Sequence, residues 1–220
     1  MEYIVRTKKY ENKTPHKEAK KIYIFCEGEK REVHYFKFFE GLTSSLAIIP
    51  IASKDGKSDP SKLKESAQEY FKSNNHTFME ELSDEVWFVI DTDHWNLGGK
   101  ITLLKQYLEE KNKSYKGWFA AQSNPSFEIW LYYHFFSEKP NENEVSTYDT
   151  FKKFLDNKIK GGFDSRKMPV HIASAIDIAQ NNYIEEHNQP SKYSTEVYLL
   201  AQKILPFIRE ELDSILARNL

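Results

Sequence analysis

The chain has one cysteine, Cys26, in 220 residues, so no internal disulfide is available to staple the fold. Cys26 sits inside an apolar run, where a small buried hydrophobe is the expected role rather than a nucleophile. No apolar run approaches the roughly 18 residues that a bilayer-spanning helix needs. The opening Met1-Glu2-Tyr3-Ile4-Val5-Arg6 has no signal-peptide core, so a cytoplasmic location away from the membrane is expected. Net charge is also scarce: −2, with a pI near 6.4, which argues against a strongly basic coat for nucleic acid. Local clusters such as Lys17, Lys20, Lys21, Lys30 and Arg31 either form a solvated face or supply phosphate contacts. No internal repeat or low-complexity tract is present.

What is abundant is core-forming residue types, 40% hydrophobic and 15% aromatic, enough to exclude global disorder. Ile22 to Cys26 reads as a strand buried on both faces. It runs into Glu27, Gly28 and a charged stretch, and a helix is expected from about Glu32 to Gly41 on the spacing of Val33, Tyr35, Phe36, Phe39 and Leu42. Leu46 to Ile51 reads as a second strand, which Pro50 assigns to an edge or terminates. A polar loop around Lys57 leads to Asp59 or Ser58 as the cap of a helix with Pro60 in its first turn. Val86 to Ile90 is a third strand, ending on Asp91-Thr92-Asp93. Ile101, Leu104 and Leu108 mark the next helix, and Gly117 to Ala121 a fourth strand. The exit of that strand, with Asn124 before Pro125, opens an apolar helix expected over 126–136.

This alternation predicts an α/β fold with a mostly parallel four-stranded sheet flanked by helices. The expected divisions are a polar N-terminal arm at 1–20, an α/β core at 21–136 and a helical C-terminal extension at 137–220. Within the extension, 137–147 is expected to be a connector. Helices are expected at 148–159, 169–183 and 195–218, with no further strands.

In an α/β sheet, ligands bind beyond the carboxyl ends of the strands, and three strand ends here carry acids. Asp91 and Asp93 flank one residue of extended chain and point to the same side. Paired carboxylates repel unless a cation lies between them, and Mg²⁺ is the usual cation for such oxygen-rich sites. Glu27 can supply a third carboxylate or act as general base. Glu128 can join from the fourth strand–helix junction, or simply face the dipole of its helix. His94 is either a loop residue or a water-orienting one. Glu29 and Glu32 are expected to face solvent, Glu32 being the better site candidate of the two.

Phe25-Cys26-Glu27-Gly28-Glu29-Lys30, Val89-Ile90-Asp91-Thr92-Asp93-His94 and Ser123-Asn124-Pro125-Ser126-Phe127-Glu128 resemble the RloB family in type and order. Pro190 followed by Ser194-Thr195-Glu196-Val197-Tyr198 resembles that family's closing segment. RloB proteins are similar to Toprim domains, in which a glutamate ends the first strand and an Asp-x-Asp a later one, together holding Mg²⁺ for phosphodiester chemistry. The resemblance therefore implies Mg²⁺ or Mn²⁺ held by Glu27, Asp91, Asp93 and Glu128 in a nuclease acting on DNA or RNA, tRNA included. Apart from the resemblance, Lys30 or Lys57 can neutralise the developing charge on a phosphate, and His94 and Asn124 are further candidate phosphate or substrate contacts. The resemblance further implies a bacterial phage-defence or abortive-infection effector, with an AAA-type ATPase as partner. Two features depart from the Toprim pattern. Arg31 stands where some Toprim nucleases carry an acid four residues after the first glutamate, and no recognisable topoisomerase tyrosine domain is present, which speaks against strand passage. A non-catalytic module that binds a nucleotide or partner and signals to the ATPase is the competing reading, and a nucleotidyl or phosphoryl transferase using the same acids is a third.

Overall fold

The computed structural model describes residues 12–53, 59–73, 77–92 and 99–218. The four expected strands are present as β1 (Lys20–Cys26), β2 (Leu46–Ala52), β3 (Glu85–Asp91) and β4 (Trp118–Asn124), all parallel where they pair. Between them run α1 (Arg31–Lys37), α2 (Pro60–Lys72) and α3 (Lys100–Lys111). Asp59 caps α2, its carboxylate accepting from the Ser61 N–H at 2.7 Å, with Pro60 at the first helical position.

The strand order is β2-β1-β3-β4, so the chain moves one way along the sheet from β1 to β2 and then reverses. Because parallel crossovers share one hand, that reversal sends α1 to one face and α2 and α3 to the other. Alternation along the strands supplies both faces. Ile22, Ile24, Cys26, Trp87 and Val89 pack with α1 and the C-terminal helices, whereas Tyr23, Phe25, Phe88 and Ile90 pack with α2 and α3. Cys26 is fully buried, as expected of a small hydrophobe. β2 lies at the sheet edge, where Pro50 is tolerated.

After β4 come α4 (Glu128–Tyr132), α5 (Glu142–Val145), α6 (Phe151–Lys158), α7 (Ile172–Asn181) and α8 (Val197–Ala217). Two expected helices are shorter than their apolar stretches. α1 stops at Lys37 and turns through Phe38 to Gly41, whose φ of +72° is open to glycine. α4 ends at Tyr132, where the Leu131 and Tyr132 carbonyls accept three residues on, from His134 and Phe135. Buried residues continue past both ends (Phe38 and Phe39 after α1, Tyr133 after α4), so the apolar pattern does not mark where either helix stops.

The expectation of four strands, with none beyond Phe136, is corrected. β7 (Ser194–Thr195) pairs antiparallel with β4 and makes a five-stranded sheet, and β5 (Glu185–Glu186) and β6 (Gln189–Pro190) form a small hairpin before it. Strands of two residues are too short to show alternation in sequence. β7 is held by side chains as well as backbone. The Ser123 and Thr195 hydroxyls lie 2.8 Å apart, and the Tyr193 N–H donates to the Asn124 carbonyl at 2.8 Å. Residues of the 137–220 extension share one continuous hydrophobic cluster with β1, β3, α1 and α4. Among the described residues no helix is long and apolar enough to cross a membrane.

Candidate active site

The strand order places a switch point between β1 and β3: from the first the chain leaves toward β2, from the second toward β4. The crevice beyond the carboxyl ends of those two strands is where an open α/β sheet offers space for a ligand. Glu27 follows β1 and Asp91 closes β3, so both acids stand at that crevice. They are fixed by backbone. The Asp91 N–H donates to Glu27 Oε2 at 2.8 Å, and Asp91 Oδ1 accepts from the Phe127 N–H at 2.8 Å. The Glu27 carbonyl in turn accepts from the Ser53 hydroxyl at 2.7 Å, tying in the end of β2.

Two further acids arrive from the helices on one face. Glu128 is the first residue of α4, and its Oε2 accepts from the Ser126 hydroxyl at 2.7 Å. Glu32, in the first turn of α1, is buried, only 7% exposed. Its carboxylate lies over Gly28, so closely that a Cβ there would come within 2.1 Å of one oxygen and 2.5 Å of the other. The role of Gly28 is thus to let a carboxylate approach the backbone. Glu32 corrects the expectation of a solvent-facing side chain; Glu29 is exposed, as expected.

The four acids share one electrostatic environment. Burial holds the Asp91 carboxyl well above the usual range, and the charges of Glu27, Glu32 and Glu128 push it further the same way, against the Phe127 N–H. Glu32 is raised chiefly by burial, then by Glu128, with backbone N–H groups and Arg31 opposing. Carboxylates raised in this manner gain from a nearby cation, and an all-oxygen donor set suits Mg²⁺ or Mn²⁺. Among the described residues, no three His, Cys, Asp or Glu side chains are arranged to hold one metal ion. Arg31 brings one positive charge to these acids, its Nη1 lying 3.2 Å from Glu128 Oε1.

Asp93, His94 and Lys57 lie outside the described residues. Lys30 is exposed, immediately before α1. Asn124 is turned toward the C-terminal segment: its amide donates to the Pro190 carbonyl at 2.9 Å, beside a cis Asn124–Pro125 bond. Lys20 and Lys21 lie at the opposite end of β1 from Glu27, about 20 Å along the strand. There Lys20 pairs with Glu85, and Lys21 Nζ donates to the Thr77 carbonyl.

A family model described as RloB-like protein matches residues 22–204, from β1 into α8. The chain belongs to the RloB-like family. No curated protein and no solved structure matches it. The matched span includes every acid of the site and also β7, the strand that completes the sheet of this RloB-like chain. The two residues that sequence reasoning undervalued are Glu32 and Arg31. A signal for Glu32 is its place in the first turn of the helix that follows the Glu27-Gly28 strand exit; the surrounding charged tetrad conceals it.

Proposed function

We propose that this RloB-like protein is a Mg²⁺- or Mn²⁺-dependent nuclease, hydrolysing phosphodiester bonds of DNA or RNA at the crevice between β1 and β3. The observation that carries the reading is the convergence of Glu27, Glu32, Asp91 and Glu128 on one electrostatic site at the switch point of the sheet. The resemblance of RloB proteins to Toprim nucleases supports it from the side of sequence.

Glu27, Asp91, Asp93 and Glu128 are the proposed metal-holding residues, with Glu32 backing them. When bound, the metal supplies charge neutralisation at the scissile phosphate and a more acidic water. Glu27 or Glu32 takes the proton from the attacking water, as a buried carboxylate beside other acids is suited to do. Exposed Lys30 is the proposed neutraliser of the phosphate charge, with Lys57 and His94, outside the described residues, as further proposed contacts. Asn124 remains a proposed substrate contact, and its amide also holds the turn after β4 by donating to the Pro190 carbonyl. Action within a phage-defence system beside an AAA-type ATPase, with tRNA among the candidate substrates, belongs to the same proposal.

One observation favours a second reading, a non-catalytic Toprim-like module that binds a nucleotide or partner and signals to the ATPase. Arg31 already pairs with Glu128, as a site built around an internal counter-charge would have it. The deciding experiment is cleavage of plasmid, single-stranded DNA and total tRNA with Mg²⁺, Mn²⁺ or chelator, comparing wild type with Asp91→Asn. Metal-dependent cleavage lost in the variant supports the nuclease. Silence of wild type with the ATPase present, together with no metal binding by calorimetry, would favour the module.

A further inference from the structure

Arg31, the first residue of α1, connects the carboxylate site to the C-terminal helices. Its Nη1 lies 3.2 Å from Glu128 Oε1, while its Nη2 donates to both carboxylate oxygens of Asp156 on α6 at 3.2 Å. The two contacts differ in kind. The Asp156 contact is a hydrogen-bonded pair with a half-exposed partner. Nη1, in contrast, is buried with no hydrogen bond of proper geometry, so its contact with the sequestered Glu128 is one of charge alone.

We propose that Arg31 is a built-in counter-cation that competes with a divalent cation for Glu128, and that Asp156 sets how strongly it competes. The inference rests on the cation-binding reading of the site. Glu128 cannot give Oε1 to a metal while the guanidinium occupies that side, and like charges this close repel. When Arg31 withdraws it is not left unpaired, because Asp156 already holds its other nitrogen, and the exchange avoids the cost of a stranded charge. Arg31 is thus a positioning residue. Through it, movement of α6 changes the affinity of the site, which gives the C-terminal extension a direct physical route to the carboxylates.

The test is calorimetric titration of the full chain with MnCl₂, for wild type, Arg31→Gln, Arg31→Lys and Asp156→Asn, with melting curves as a folding control. Arg31→Gln is expected to bind Mn²⁺ about tenfold tighter, the size expected for removing one partly exposed charge. Arg31→Lys, which keeps the charge, stays near wild type. Asp156→Asn binds more weakly, since Arg31 then has Glu128 as its remaining partner. The gain from Arg31→Gln disappears in a Glu128→Gln background, which separates competition for Glu128 from a general field effect. Wild-type binding that Arg31→Gln leaves unchanged or weakens would overturn the competition alone, and a merely structural strut would give that result. Should Arg31→Gln fail to fold, unchanged or tighter binding in Asp156→Asn overturns it equally. No Mn²⁺ binding by any of these proteins overturns the metal reading and this inference together.

Discussion

The Asp91 N–H donates to the Glu27 carboxylate at 2.8 Å, so the ends of β1 and β3 are joined across the crevice by one of the site's own acids. Both residues are needed for geometry as well as charge, which decides how they are best tested. Glu27→Gln and Asp91→Asn each retain the oxygen that accepts its backbone bond, while removing the charge. Both are expected to fold and to lose metal-dependent cleavage by ~100-fold or more, in the range of removing a central electrostatic group. A cleavage assay alongside circular dichroism checks this, and an active Asp91→Asn enzyme would contradict the assignment.

The same acids set a pH dependence in the metal-free protein. The folded pKa values of Asp91 and Glu32 are raised, first by burial and then by neighbouring carboxylates. The folded state therefore holds their protons longer than the unfolded chain does, and stability falls as pH rises from the usual carboxylate range through the raised values. Asp91→Asn and Glu32→Gln should accordingly melt higher than wild type at pH 7–8 without metal, the gain shrinking toward pH 4. Melting temperatures across that range in chelator decide it, and a variant that melts lower at pH 8 would refute the repulsion.

Gly28→Ala tests the close approach of Glu32. The atoms a Cβ would meet are the Glu32 carboxylate oxygens, the mobile end of a flexible side chain. The expected result is a folded protein, destabilised by at most about 1 kcal/mol, whose site has lost the Glu32 position. In a Glu32→Ala background the glycine should cease to matter. If Gly28→Ala unfolds the protein in both backgrounds, the constraint lies in the backbone and not in the site.

Much of this arrangement could be read from residues alone, and what escaped did so for physical reasons. β1 and β3 carry continuous apolar runs (Ile22 to Cys26 and Val86 to Ile90) because parallel strands are covered on both sides, and the acids immediately after them, Glu27 and Asp91, are conspicuous. Glu32 escaped because one turn of α1 carries Arg31, Glu32 and His34 together, and sequence does not say which of them a short helix turns inward. β7 escaped because two residues, Ser194 and Thr195, carry no period; hydroxyl contacts and the Tyr193 backbone hold them in place. The separation of Lys20 and Lys21 from Lys30 follows from seven residues of extended strand, which carry neighbours in sequence to opposite ends of the sheet.

The open edge of β4 offers a test independent of the acids. The Asn112 side chain stands in for a neighbouring strand at Trp118, donating to its carbonyl at 2.7 Å and accepting from its N–H at 3.0 Å. Asn112→Ala leaves both backbone groups of a largely buried residue without those partners and should cost about 1–3 kcal/mol. Asn112→Asp keeps only the acceptor and should lose part of that amount. Urea unfolding at pH 7 measures it, and a neutral Asn112→Ala would mean that water replaces the amide without penalty.

His134 makes the fold itself acid-sensitive. It is buried, with Nδ1 3.0 Å from the Trp130 carbonyl and Nε2 3.1 Å from the Tyr35 hydroxyl, an arrangement that places the proton on Nδ1 and lets Nε2 accept. Burial pushes its pKa down to about 3, with His171 adding to the effect and the Trp130 carbonyl opposing it. The unfolded chain takes up the proton near pH 6.5 while the folded chain refuses it, so stability is fully present above pH 6.5 and is lost as pH falls toward 3. From this group alone the loss between pH 6.5 and 5 is about 2 kcal/mol. His134→Gln should start less stable at pH 7, because it disturbs the Tyr35 contact, yet lose less on acidification, so that the two proteins converge near pH 5. Urea unfolding at pH 7, 6 and 5 measures the difference directly. Parallel curves for the two proteins would mean that His134 is protonated in the folded state, and its hydrogen bonds would then have to be reassigned.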